Sequence, residues 1–175
     1  MGDGHKESGL GHAGQTAETE VHEATAFDRL LEARGIHKDD AHALVIDDQV
    51  ALRSFLPRSI RRKFDIGGQV AEDGVQGLEV IRSFRDHIAL VVSDVDMPNM
   101  RGPDMLRAAH AEGLLNDVPV VVMTGRPAEN AQEIDDITAG GIAQEMLSKP
   151  FGPEELVLAI ECACQKVLDK MNTQA

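Results

Sequence analysis

From Ala41 onward the chain alternates short apolar runs with longer amphipathic stretches. The apolar runs are AHALVIDD (41–48), the weaker GQVAED (68–73), HIALVVSDVD (87–96), the most apolar VPVVVMT (118–124), and the short EMLSK (145–149). Each is of strand length, and the near-continuous hydrophobicity of the third and fourth suits strands covered on both faces. The stretches between them repeat apolar residues at helical spacing: Gln49 to Phe64, Val75 to Phe84, Pro103 to Glu112, Ala128 to Thr138 and Pro153 to Met171. In the second of these Val75, Leu78, Ile81 and Val80 are expected to face inward, and Pro57 is expected to kink or restart the first. Five strand-like runs alternating with five helix-like runs predict an α/β fold, a parallel sheet covered by helices on both faces.

The segment before Ala41 reads differently. Residues 1–25 are Gly-rich, polar and charged without periodicity, the composition of a disordered tail. His5, His12 and His22 lie there at a spacing that matches no common metal site, so they are read as solvated. Residues 26–40 read as a short helix and linker. Ala26 to Arg34 sets Phe27, Leu30 and Leu31 on one helical face, and Gly35 is a natural stop.

Composition narrows the class. The 175 residues suit one domain with a single core, which the 42% hydrophobic content can fill. Trp and Tyr are absent and aromatics are only 3%, so that core must be aliphatic. A formal net charge of -13 argues against a nucleic-acid partner, which would require clustered Lys and Arg. Nothing reads as a signal peptide or membrane span, so no membrane partner and a cytoplasmic location are expected. Cys162 and Cys164 sit two apart on a helix, where side chains diverge, and are read as small apolar fillers in a reduced protein.

In doubly wound sheets, ligands bind at the carboxyl ends of the strands. Asp47 and Asp48 follow the first run, Asp94 and Asp96 close the third, Thr124 ends the fourth, and Lys149, followed by Pro150, ends the fifth. Singly, each has an ordinary explanation as a helix cap, a turn residue or a solvated lysine. Together they gather every candidate chemical group on one sheet edge, whereas Asp104 and Asp117 read as surface or capping residues. Carboxylates that close repel one another unless a cation joins them, and an all-oxygen set suits Mg²⁺ or Mn²⁺ rather than zinc. With a hydroxyl and an ammonium added, the edge can hold a phosphoryl group, the nucleophile being a carboxylate that becomes an acyl phosphate. Asp96 and Arg126 lie two residues beyond Asp94 and Thr124, and their opposite charges are expected to face each other across the mouth of the site.

The ordered set VIDD, SDVDMPNMRG, VVMTG and SKPF resembles the receiver domain of two-component response regulators, over about residues 41–171. The resemblance implies a flavodoxin-like (βα)5 fold with strand order 2-1-3-4-5. It also implies that Asp94 is the phosphoacceptor and that Asp47 and Asp48 are the acidic metal pair. Asp96 would offer its backbone carbonyl to the metal, Thr124 would be the switch hydroxyl, and Lys149 the phosphate-binding cation before a cis peptide at Pro150. The implied donor is a histidine kinase or histidine phosphotransfer protein. The implied output is a downstream protein target, with a phosphorylation-dependent dimer as one form of it. Residues 172–175 form the C-terminal end, with no output domain after them, so a stand-alone regulator that is not an enzyme is expected. Two departures stand out. Met146 occupies the place, three residues before the lysine, where the family carries an aromatic switch. Pro57 falls in the helix that recognises kinases in related proteins. The rival reading is a haloacid-dehalogenase-like phosphatase, which also ends a strand in D-x-D. In that class, however, the acidic pair follows the Thr and Lys rather than preceding the D-x-D. A second rival is a degenerate receiver that works without phosphorylation.

Overall fold

The computed structural model describes residues 24–174, together with Met1. The five strands are β1 (His42–Ile46), β2 (Gly67–Ala71), β3 (Ile88–Asp94), β4 (Val120–Thr124) and β5 (Glu145–Ser148). They form one parallel sheet in the order β2-β1-β3-β4-β5. Central β3 is buried along its whole length, which explains why IALVVSD shows no alternation of polar and apolar residues.

The helices are α1 (Ala26–Arg34), α2 (Val50–Phe64), α3 (Gly74–Ser83), α4 (Gly102–Ala111), α5 (Ala131–Ala139) and α6 (Pro153–Gln174). Side chains alternate across the sheet, so each strand feeds two layers. Ala43, Val45, Leu90, Val92, Val121, Met123 and Leu147 pack with α1, α2 and α6. Leu44, Ile46, Val91, Val120 and Val122 pack with α3, α4 and α5.

Helix α1 covers part of the first layer. Thr25 and Asp28 form a reciprocal capping box at its start, and Gly35 ends it in the left-handed conformation at φ 67°. Phe27, Leu30 and Leu31 are buried, with the Phe27 ring centroid 4.7 Å from that of Phe64 on α2. Burying each such side chain contributes about 1.5–3 kcal/mol, so α1 is bound into the same core as the sheet. Cys164 of α6 is buried in that layer and Cys162 is exposed; both are free thiols. Burial pushes the Cys164 thiol above its ordinary range.

The restart expected at Pro57 and the inward-facing Val75 do not occur. Helix α2 runs unbroken through Pro57 and does not restart there. An internal proline costs about 3 kcal/mol or more, and burial of Leu56, Ile60 and Phe64 along the same face offsets it. The facing strand also makes room, because a Cβ at Gly68 would stand only 3.1 Å from the Pro57 Cβ. In α3, Val75 points outward, while the inward face is Gly74, Gly77, Leu78 and Ile81, with Val80 half-buried against the core. A Cβ at Gly77 would press on Ile46 of β1 and one at Gly74 on Met100 in the β3–α4 loop, so the helix turns its glycines inward to approach the sheet and that loop closely. The region read as a tail, with His5, His12 and His22, falls outside the described residues apart from Met1, Ala24 and Thr25. None of the described helices is long and apolar enough to cross a membrane.

Candidate functional site

The layer under α1, α2 and α6 continues past the strand ends into polar residues. Two positions beyond Val45, Val92, Met123 and Leu147 stand Asp47, Asp94, Gly125 and Lys149, so the same alternation that builds the core directs them to one side of the sheet edge. Lys149 Nζ lies 2.7 Å from Asp47 Oδ2 and 3.0 Å from Asp94 Oδ1. The other Asp47 oxygen accepts the backbone N–H of Gln49 at 2.8 Å, and Asp47 is fully buried. Asp48 is exposed at the rim. Arg53, one turn into α2, donates to the carbonyls of Asp47 and Asp48 at 2.6 and 2.8 Å and fixes the turn that presents both.

Asp47, Asp48 and Asp94 each offer a carboxylate oxygen, and these oxygens lie within 4.8 Å of one another. Burial is the main force on Asp94, pushing its carboxyl up to about 6; the neighbouring Asp47 charge adds to this, and Lys149 opposes it. Burial alone would lower the Lys149 ammonium, but its two carboxylate partners outweigh that and raise it. One cation therefore serves two buried carboxylates, with a third at the rim. An all-oxygen donor set with surplus negative charge fits a hard divalent cation.

Gly125 meets nothing within 4 Å of where a Cβ would be, which leaves an open approach between the strand ends. Gln49, Leu52, Phe55, Lys149, Pro150 and Phe151 line the cleft beside it. The Lys149–Pro150 peptide is cis, as expected. The β3–α4 loop folds tightly against the site. Asn99 donates to Asp73 at 2.6 Å, and the Gly102 N–H donates to the Val95 carbonyl at 3.1 Å. A side chain at Gly102 would collide with the Asp94 carbonyl oxygen.

Thr124 is fully buried at the end of β4, and around it lies a cluster that sequence reasoning missed. Asn130 Nδ2 donates to Thr124 Oγ1 at 3.0 Å and to Asp96 Oδ2 at 2.7 Å. Arg101 donates to Asp96 at 2.9 Å and to the Asn130 side-chain oxygen at 3.1 Å, and pairs with Glu133 at 2.6 Å. Arg126 reaches Asp96 at 3.2 Å, the expected facing pair. Burial works to raise the Asp96 carboxyl, but Asn130, Arg101 and Arg126 together hold it below the usual carboxylate range. In the sequence, Arg101, Asn130 and Glu133 look like ordinary residues at helix starts. Only the meeting of two helix N-termini over one strand end gives them a common target.

The fold and site agree with comparisons to known proteins. The response regulator receiver domain model matches residues 43–161. The chain belongs to this family. Response regulator MprA of Mycobacterium ulcerans is 36% identical over 117 residues, covering 65% of this chain and 46% of that protein. The DNA-binding response regulator MtrA of Mycobacterium tuberculosis is 30% identical over 124 residues, covering 70% of this chain and 50% of that protein. This receiver thus spans about half the length of those relatives. Among solved structures, Vibrio cholerae chemotaxis protein CheY4 superposes with a TM-score of 0.59 at 27% identity, covering 73% of this chain and 98% of that one. Family membership sets aside the haloacid-dehalogenase reading.

Proposed function

We propose that Asp94 is the phosphoacceptor of this receiver and that the resulting acyl phosphate is read by a protein partner. The observation that carries the reading is Lys149 Nζ, held 3.0 Å from Asp94 and 2.7 Å from Asp47 beside an open approach at Gly125. A half-buried ammonium so placed meets the incoming phosphoryl oxygens with charge already positioned.

An Asp94 oxygen attacks phosphorus and a new O–P bond forms. The P–N bond of a phosphohistidine on a histidine kinase or phosphotransfer protein breaks, and its electron pair returns to the imidazole nitrogen. With acetyl phosphate, the P–O bond breaks and acetate leaves. Asp48 and Asp94, with Asp47 behind them and the Asp96 backbone carbonyl, would hold Mg²⁺, the Asp96 side chain being engaged elsewhere. When bound, Mg²⁺ neutralises the crowded carboxylates and the charge on the transferring group. Lys149 shifts from the free carboxylate to a phosphoryl oxygen, and Thr124 offers its hydroxyl to another.

A net charge of -13 supports a protein rather than a nucleic-acid target. Position 146, on edge strand β5, carries a half-exposed Met, so an output through an aromatic at that position is not available to this chain. To test the acceptor, the protein is incubated with acetyl phosphate and Mg²⁺, then reduced with borohydride, which converts an aspartyl phosphate to homoserine. Homoserine at position 94 supports the assignment, and homoserine at 47, 48 or 96 overturns it.

A further inference from the structure

We propose that Asn130 is a positioning residue that holds the Thr124 hydroxyl on the α5 side of the sheet in the unphosphorylated protein. The proposal rests on the phosphoryl-acceptor reading for what displaces that hydroxyl. Asn130 occupies the N-cap position of α5, where asparagine ordinarily turns its side-chain oxygen onto a backbone N–H of the first turn. Here it makes no capping bond. Its amide is directed away from its own helix, to Thr124, Asp96 and Arg101.

The orientation of that amide is fixed by chemistry. Its two N–H groups face acceptors, Asp96 Oδ2 at 2.7 Å and Thr124 Oγ1 at 3.0 Å, and its oxygen faces the Arg101 guanidinium at 3.1 Å. Reversing the amide would set its oxygen against a carboxylate and its nitrogen against a cation. At 7% exposure, water cannot relieve either conflict. Thr124 Oγ1 also accepts the Arg126 N–H at 2.9 Å, so both of its lone pairs are filled.

Strand alternation places Thr124 on the side of Val120 and Val122, the layer of α3, α4 and α5, whereas Asp94 is in register with Met123 and belongs to the opposite layer. To donate to a phosphoryl oxygen on Asp94, the Thr124 hydroxyl must turn away from Asn130. That turn removes one of the three partners that orient the Asn130 amide at the start of α5; the same amide accepts from Arg101, at the start of α4, and Arg101 in turn holds Glu133 in the first turn of α5. Occupancy of Asp94 is thereby coupled to the junction of two helix starts through polar groups alone, without an aromatic at position 146.

A hydrogen bond present only in the unphosphorylated form favours that form by about fivefold. The test measures the phosphorylated fraction at a fixed acetyl phosphate concentration, with Mg²⁺, for wild type, Asn130→Ala, Thr124→Val and the double variant. Because the Asn130 side chain caps nothing, its removal leaves α5 without a lost cap. Asn130→Ala should raise the ratio of phosphorylated to unphosphorylated protein about fivefold, and the same change in the Thr124→Val background should have little effect. An equal effect in both backgrounds, or none in either, overturns the proposal. A readout independent of phosphorylation is the Thr124 side-chain rotamer, from three-bond NMR couplings of its methyl carbon in the unphosphorylated protein. One rotamer in wild type and averaging in Asn130→Ala supports the hold, and one unchanged rotamer in both overturns it. If wild type takes up no phosphoryl group at all, the acceptor reading fails, and the couplings still decide the role of Asn130.

Discussion

Arg126 and Asp96 face each other at the mouth of the site, with Nη2 3.2 Å from Oδ2. Each lies two residues beyond the strand-end group beside it, and that common offset brings them together across the β3–β4 edge. The carboxylate is not shared with Arg126 alone, since Arg101 and Asn130 hold it as well. Asp96 is therefore held from three sides, whereas the Arg126 side chain, 58% exposed, is the more exposed member of the pair and also reaches Glu129 at 3.3 Å.

A lid of this kind would obstruct a water attacking the acyl phosphate. Its worth in stability is small, about 0.2–1 kcal/mol for so exposed a pair, but a barrier change of about 1.4 kcal/mol alters a rate tenfold. Arg126→Ala is expected to hasten decay of the phosphorylated protein severalfold. Asp96→Ala should do at least as much, because it also frees Arg101 and Asn130. The double variant should add little to the Asp96→Ala rate. Decay followed by intact mass checks this, and rates equal to wild type in all three variants would remove the lid from the account.

The Asp94 carboxyl, raised to about 6 from an ordinary 3.8, makes stability depend on pH when no metal is bound. Between these values the native protein binds its proton more tightly than the unfolded chain does. The contribution of this group therefore falls as pH rises through that window, and above it the ionised carboxylate is a net cost to the fold. Asp94→Asn should be more stable than wild type at pH 7 in chelator, by on the order of 1–2 kcal/mol, and the difference should shrink toward pH 4. Urea denaturation of both proteins across that range measures it. A difference that is constant with pH would show that burial does not hold the Asp94 proton.

Asp48 is the exposed member of the carboxylate group, so its loss should spare the core. Asp48→Asn is expected to weaken Mg²⁺ binding at least tenfold, in line with losing one charged oxygen ligand, and to slow phosphorylation in step. The thermal midpoint of the metal-free protein should stay level or rise, because a crowded negative charge is gone. With no Trp or Tyr in the chain, titration calorimetry is the suitable measure of binding. Wild-type affinity in this variant would exclude Asp48 from the metal set.

Much of this structure is legible in the residue pattern. The runs ending at Asp48, Asp94 and Thr124 announce their strands because buried parallel strands must be apolar throughout, while the short, part-polar run before Lys149 is an edge strand; the polar residue ending each run marks the sheet edge. Val75 was misread because its apolar character outweighed Gly74 and Gly77, whose inward role comes from the close approach of α3 to Ile46 and to the Met100 carbonyl. Pro57 does not restart its helix: a local rule against internal proline takes no account of the burial gained on both sides of it. The cluster of Arg101, Asn130 and Glu133 carries no sequence signal of its own. Polar residues at helix starts are common, and their shared target exists only in three dimensions.

The most direct measurement is the intact mass of the protein over time with acetyl phosphate, comparing wild type with Mg²⁺, wild type in EDTA, and Asp94→Asn with Mg²⁺. The account predicts the gain of one phosphoryl group in the first sample and none in the other two, with all three proteins folded by circular dichroism. A gain in Asp94→Asn at the wild-type rate, or no gain in wild type with Mg²⁺, would contradict it.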